Sequence, residues 1–367
     1  MSIKKIRFFT GHDSSEVNDY YLNLTPNGKG VFQNCQFFFN EDIKDYDYVV
    51  VFEELYKKID VSIPMDRVIF VAAEATSIKT YDQKFLDQFG HVITCQTRIQ
   101  HRSKYLKSPG HSWFSKKSYD ELMNITDVAK TKSLSIVASN KTFTKGHKDR
   151  FEFCLRLKEH LGDKVDLFGR GFNEFDDKWS VIAPYKYSIA IENSIEQHWV
   201  TEKLGDCYTS HTFPFYMGAP NVGNYFNSKS YESIDISDFE KSLRTITRII
   251  DDPDHYNNHL AFLTEAKHAY LNKHSVIPMI CDFINGELSK ARYNPTNKEL
   301  VIFPEKQKFF RKIRKWFLGL YEWLEQGYSL QFCFGGSGSR TNPNARAGIN
   351  YPSSPSKGAA WDRKKYT

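Results

Sequence analysis

The chain alternates short apolar runs with segments of helical periodicity, and it does so twice. Residues 5–10 (KIRFFT), 46–52 (YDYVVVF), 67–73 (RVIFVAA) and 91–95 (HVITC) have strand length, with a helical segment at 81–89 before the last. After a polar stretch at 120–132 the pattern restarts. Strands are predicted at 133–139 (SLSIVAS), 165–168, 187–191 and 212–217, and helices at 149–161, 202–210, 239–250 and 256–270. Runs that are apolar at every position predict strands covered on both faces, hence parallel sheets flanked by helices. Two Rossmann-like α/β domains facing across a cleft are the economical arrangement. The expected divisions are 1–125, 126–290, an extension over 291–333 and a tail over 334–367.

The extension changes character. Phe309, Phe310, Ile313, Trp316, Phe317, Leu320 and Leu324 follow helical spacing, with Lys308, Arg311, Lys312, Arg314 and Lys315 largely on the other side. Such a basic amphipathic helix over 306–324 docks on an anionic membrane or packs on the body with its charges outward. The tail is rich in Gly, Ser, Pro and Asn without periodicity, and disorder is expected there.

Composition narrows the class. A chain of 367 residues with 40% hydrophobic and 26% charged residues reads as globular, and its length suits two domains. No run of about 18 apolar residues occurs, so no spanning helix is expected. The first ten residues are too short and too charged for a signal peptide, and a cytoplasmic chain follows, with peripheral membrane contact through 306–324 as an option. The net charge of +6 is misleading: residues 334–367 hold six Lys/Arg against one acid, and 305–325 six against three. The body is therefore close to neutral, which argues against a nucleic-acid partner. Six scattered cysteines without a CxxC pair indicate free thiols rather than a zinc site or a disulfide framework.

Candidate chemistry concentrates after residue 187. The apolar run 187–191 ends in Glu192-Asn193-Ser194, and a few residues on comes Trp199-Val200-Thr201-Glu202-Lys203. Ligands of parallel α/β sheets sit beyond the carboxyl ends of strands. Thr201 suits an N-cap, so Lys203 falls in the first turn of a helix, against the positive end of the macrodipole. A bound pyrophosphate would compensate it. Glu202 would then be available to ribose hydroxyls or to positive charge developing on a sugar. The bland alternative is a surface Glu-Lys pair.

The span from Lys186 to Phe239, with Glu192-Asn193-Ser194, Trp199-Val200-Thr201-Glu202-Lys203, Pro214, Gly218-Ala219-Pro220, Ser230-Tyr231 and Asp238-Phe239, resembles the donor-binding signature of family 10 glycosyltransferases, the α-1,3/4-fucosyltransferases. Residues 137–140, Arg150 and Phe168-Gly169-Arg170 resemble the family's weaker motifs. The position of Trp199 is usually tyrosine, so a phenolic hydroxyl is lost. The resemblance implies a GT-B arrangement, GDP-fucose as donor and inversion at the anomeric carbon. It implies an acceptor-binding domain at 1–125 and a GDP-sugar-binding domain at 126–290. Asn193, Trp199, Glu202 and Lys203 carry the donor contacts by this resemblance, with Arg170 pairing a phosphate. It further implies a surface-glycan acceptor such as N-acetyllactosamine, with α-1,3 linkage.

Single-displacement inversion needs a carboxylate to take the acceptor proton. Glu74, after the run 68–73, is the best candidate, and Glu202 is the second catalytic carboxylate. Asp82 and Glu53 are the runners-up to Glu74. Arg98, His101, Arg102, His111 and Trp113 are candidates to line the acceptor side. No metal or other cofactor is required when Lys203, Arg170 and a helix terminus offset the leaving group's charge. Asp45, Asp47, Asp176 and Asp177 read as a strand start and a loop. Another nucleotide sugar as donor, or an inactive membrane-associated relative, remain the alternatives.

Overall fold

The structure, a computed structural model, describes residues 2–138, 145–290 and 299–305. Met1–Lys306 form one compact unit, which contains both sheets. Residues 307–367, with the amphipathic segment and the tail, lie outside the described residues.

Among the described residues the first lobe contributes β1 (Lys4–Phe9), β2 (Val31–Phe32), β3 (Cys35–Phe39), β4 (Tyr48–Phe52), β5 (Ile59–Val61), β6 (Val68–Ala72), β7 (His91–Thr94) and β8 (Lys104–Leu106). The first sheet runs β2-β3-β1-β4-β6-β7-β8 and is parallel except for β2. The second lobe adds β9 (Lys132–Val137), β10 (Val165–Phe168), β11 (Tyr185–Ile191), β12 (Phe213–Met217) and β13 (Glu232–Ser233), paired in parallel in the order β10-β9-β11-β12-β13. The late strand β14 (Leu300–Ile302) pairs antiparallel with β5.

Two-sided burial explains the continuous apolar runs. Phe8, Val50, Ile69 and Val71 enter one core, while Phe9, Val49, Val51 and Phe70 enter another on the opposite face. Polar alternation would have put charge into one of these layers. In each sheet the strand order reverses once, between β1 and β4 in the first and between β9 and β11 in the second. Such reversals open a crevice at the strands' carboxyl ends.

The described helices are α1 (Ser15–Asn23), α2 (Gln83–Leu86), α3 (Tyr119–Asn124), α4 (Lys145–Leu161), α5 (Lys178–Ile182), α6 (Glu202–Thr209), α7 (Phe239–Ile250), α8 (His255–Ala269) and α9 (Val276–Gly286). The helix expected over 81–89 shrinks to α2, because Asp82 caps it through the Lys84 amide and Tyr81 is drawn away to Glu53. The polar stretch at 120–132 begins inside α3, which a Ser118–Glu121 capping box starts.

The helix α9 returns from the second lobe to the first sheet. Ile277, Ile280 and Ile284 share one core with Phe32, Cys35 and Phe37. Asn285 donates to Asn34 Oδ1 at 2.7 Å and accepts from Lys4 Nζ at 2.7 Å, and the sulfurs of Cys281 and Cys35 lie 2.8 Å apart. No described helix is long and apolar enough to cross a membrane.

Candidate active site

The site begins where β11 ends. Glu192 follows the strand, and its side chain is fully buried. A buried carboxylate must be matched by donors. The Thr201 amide supplies one at 2.9 Å, the Thr201 hydroxyl approaches both oxygens at 2.7 and 2.8 Å, and Lys203 Nζ lies 3.1 Å away. Gly218, at the end of β12, leaves room for this. A Cβ there would lie 2.5 Å from Glu192 Cγ and 2.2 Å from Tyr216 Oη.

Thr201 is the N-cap of α6 and accepts the Lys203 amide. The compensation of Lys203 differs from the expectation: the protein supplies it. Its Nζ lies 3.1 Å from Glu192 and 3.2 Å from Glu202, and these carboxylates raise its pKa against the pull of burial. Glu202 is likewise engaged. Burial alone would raise its pKa, but Lys203, Lys178 and His111 hold it well below the usual carboxylate range. Lys178, at the start of α5, pairs with buried Asp206 at 2.6 Å. Glu192, Lys203, Glu202, Lys178 and Asp206 thus form a charge-alternating chain around the α6 terminus. That terminus stays open: the side chains of Glu202 and Lys203 keep 15% and 19% of their exposure.

The expected donor residues separate. Asn193, directly after Glu192, accepts from Arg150 Nη1 of α4. Arg150 is 7% exposed, and its Nε has no partner among the described residues. Arg170, beyond the edge strand β10, is exposed. The guanidinium brought to Asn193 is Arg150's. Trp199 is 3% exposed and packs with Ala75 and Cys95 of the first lobe, with its ring edge-on to His111 at 4.9 Å. Its indole N–H has no partner among the described residues. Beside Asn193 a cavity of about 730 Å³ opens, walled by Asp149, Phe153 and Arg156 of α4, by Met217 at the end of β12 and by Asp235 and Ser237 beyond it. That volume suits a small-molecule ligand.

The first lobe presents three candidate carboxylates, and they are used differently. Glu53 accepts from the amides of Ala73 and Glu74 at 2.8 and 3.1 Å and from the Tyr81 hydroxyl at 2.5 Å, and it pairs with Lys79 at 2.6 Å. Asp82 is spent on the α2 cap. Glu74, past the end of β6, is held by its backbone: Gln96 Nε2 donates to its carbonyl at 2.7 Å. Burial, then the charge of Glu53, pushes its carboxyl up to about 7, and the charges of Glu202 and Lys203 reach it from the second lobe. His111 contacts the Ala73 carbonyl at 2.8 Å through Nε2, and burial lowers its pKa.

Of the other acceptor-side candidates, Trp113 is buried, with its indole N–H on the Lys117 carbonyl at 2.8 Å. His101 contacts the Phe89 carbonyl, Arg102 reaches the Met65 sulfur, and Arg98 is exposed. Asp177 caps α5, and Asp47 accepts the Lys5 amide at 2.8 Å. Among the described residues no three His, Cys, Asp or Glu side chains converge as a metal site. Sequence reasoning missed the role of Glu192. Its signal was an acid directly behind an apolar strand and nine residues before an N-cap threonine.

Two doubly wound lobes, with the carboxyl ends of their strands meeting at an open helix terminus, define a GT-B-like α/β protein. A solved α1,3-fucosyltransferase shares this fold with a TM-score of 0.50 at 18% identity, over 81% of this chain and 92% of that one. Residues 128–300 match glycosyltransferase family 10 (fucosyltransferase) C-term. The α-(1,3)-fucosyltransferase FucT of Helicobacter pylori is 36% identical over 103 residues, 28% of this chain and 18% of that protein. The GDP-fucose protein O-fucosyltransferase 3 of Xenopus tropicalis is 29% identical over 103 residues, 28% and 21% of the two chains. The match thus spans less than a quarter of each curated relative's length.

Proposed function

We propose that the protein is an inverting fucosyltransferase that moves L-fucose from GDP-fucose to a hydroxyl of an N-acetylglucosamine-type unit, with α-1,3 linkage. The observation that carries this reading is that Glu74, past the end of β6, lies within electrostatic reach of the α6 terminus. Burial and the charge of Glu53 push this carboxyl up to about 7, and the charges of Glu202 and Lys203 act on it from the second lobe. A base poised near the working pH is matched to removing a hydroxyl proton as the oxygen attacks.

In this reading the diphosphate docks at the amino end of α6, where backbone N–H groups, Lys203 and Arg150 offset the charge that builds on departing GDP. The guanosine occupies the cavity beside Asn193. Glu202, kept ionised by its cations, faces the positive charge that develops at the fucose ring. Glu74 accepts the proton, the acceptor oxygen bonds to the anomeric carbon, and the bond to the β-phosphate breaks on the opposite face. Glu53 and Asp82 are poor bases, since their lone pairs are already committed to donors within the lobe. The domain division follows: residues 1–125 bind the acceptor and 126–290 the GDP-sugar.

The test is incubation with GDP-fucose and an array of lactose, N-acetyllactosamine and peptide acceptors, with products linked by mass spectrometry and NMR. Fucosyl-α-1,3-N-acetyllactosamine is expected. Transfer only from a UDP- or CMP-sugar, or to peptide alone, would overturn the donor or the acceptor assignment respectively.

A further inference from the structure

The loop between β11 and α6 does more than connect them. Glu196 reaches across the cleft to the segment that follows Glu74. Its Oε2 accepts the Thr76 amide at 2.9 Å and its Oε1 accepts the Thr76 hydroxyl at 2.6 Å. Ser194 and Ser77 join their hydroxyls beside it. Three residues on, Trp199 is buried against Ala75 and Cys95, with Ile78 packed on the same cluster. The loop therefore grips residues 75–78 by a bidentate carboxylate at one end and an aromatic wedge at the other. Its own ends are Asn193 and the Thr201 cap, both part of the α6 site. On the first-lobe side the peptide is rigid: Gln96 holds the Glu74 carbonyl and Glu53 the Glu74 amide.

We propose that Glu196 is a positioning residue, which through Thr76 sets the placement of the Glu74 carboxylate relative to the α6 terminus. This rests on the fucosyl-transfer reading for its catalytic meaning. Two lobes that share no strand can slide by an ångström at a cleft, and misplacement of that size costs on the order of a hundredfold in rate. A carboxylate accepting two hydrogen bonds from one residue fixes both distance and orientation. Ser194–Ser77 and Trp199 add area, but among the described residues of this loop only Glu196 bonds the backbone of the segment that follows the base.

The test compares the full-length wild type with Glu196→Ala, Thr76→Val and the double variant. Readouts are kcat, GDP affinity by calorimetry, melting temperature and amide exchange over residues 73–78. Glu196→Ala should lower kcat about tenfold or more and leave GDP affinity within about twofold. Thr76→Val keeps the amide bond and should lose less, and the double variant should be no slower than Glu196→Ala, since both act through one contact. Exchange at 73–78 should quicken in Glu196→Ala while β6 itself stays protected. An unchanged kcat in folded Glu196→Ala overturns the proposal, as does a fall in GDP affinity that matches the fall in kcat. If Glu196→Ala does not fold, Thr76→Val carries the same kinetic comparison. If the wild type transfers no fucose, the functional reading fails by itself, and unaltered exchange at 73–78 in Glu196→Ala would sink the clasp separately.

Discussion

Glu74→Gln should make the protein inactive and, above neutral pH, more stable. The carboxyl ionises near its ordinary 4.5 in the unfolded chain and near 7 in the fold, through burial and the neighbouring charge of Glu53. An acid whose folded pKa is raised binds its proton more tightly in the native state. Its contribution to stability is present below pH 4.5 and is lost as the pH rises through 7. Each pH unit of displacement is worth about 1.4 kcal/mol. The ionised side chain thus weakens the wild type by about 3 kcal/mol at pH 8, about 2 at pH 6 and under about 1 at pH 5, before discounting for its partial exposure to water. Glutamine has the same shape and no charge to desolvate, so it escapes this loss. Urea unfolding of wild type and Glu74→Gln across pH 5–8.5 should show curves that nearly meet at the acid end and diverge toward alkali, with GDP affinity equal throughout. The wild-type kcat/KM should fall about tenfold per unit below pH 7. A variant no more stable than wild type at pH 8.5, or a gap that persists undiminished at pH 5, would refute both the buried, electrostatically crowded carboxyl and its assignment as base.

Lys203→Ala strands the fully buried Glu192 carboxylate. It should cost about 3–5 kcal/mol in denaturant titrations, less some relief from water entry, and abolish detectable GDP binding. Arg150→Met should weaken GDP about tenfold to a hundredfold in calorimetry, the loss of a charged hydrogen bond, whereas Arg170→Ala should bind as the wild type does. Gly218→Ala forces a methyl into the 2.5 Å gap beside Glu192 Cγ and should lower stability by about 1–3 kcal/mol, read as a shift in the urea midpoint at constant slope.

Legibility followed the physics of each element. The runs YVVVF and VIFVA were readable because both faces of these strands are covered, so no polar residue interrupts them. The start of α6 was readable from Thr201, and α7 from its Asp238 cap, since local hydrogen bonds set both. The helix α9 was not: Val276, Ile277 and Pro278 argue locally against helix, and packing under the first sheet overrides them. The short α1 and α3 are stretches whose caps alone announce them. At the site, the Thr201–Glu202–Lys203 chemistry was visible as a motif. The partnership of Lys203 with Glu192 was not, nor the reach of Glu196 to Thr76 across 120 positions of chain. Arg150 and Arg170 look alike in sequence; strand order separates them, placing Arg170 beyond an edge.

The return of α9 to the first sheet also governs how the chain can be made. A ribosome releases residues 1–125 long before Val276–Gly286 emerges, yet Phe32, Cys35 and Phe37 share their core with that helix as well as with Phe8, Phe39 and Tyr119. Nascent lobes ordinarily fold in order of synthesis. This one lacks part of its apolar cover until translation has nearly passed through its companion. A gene cut between the lobes would thus yield an amino-terminal piece prone to aggregate, and coexpression with residues 126–290 is the condition under which it should become soluble.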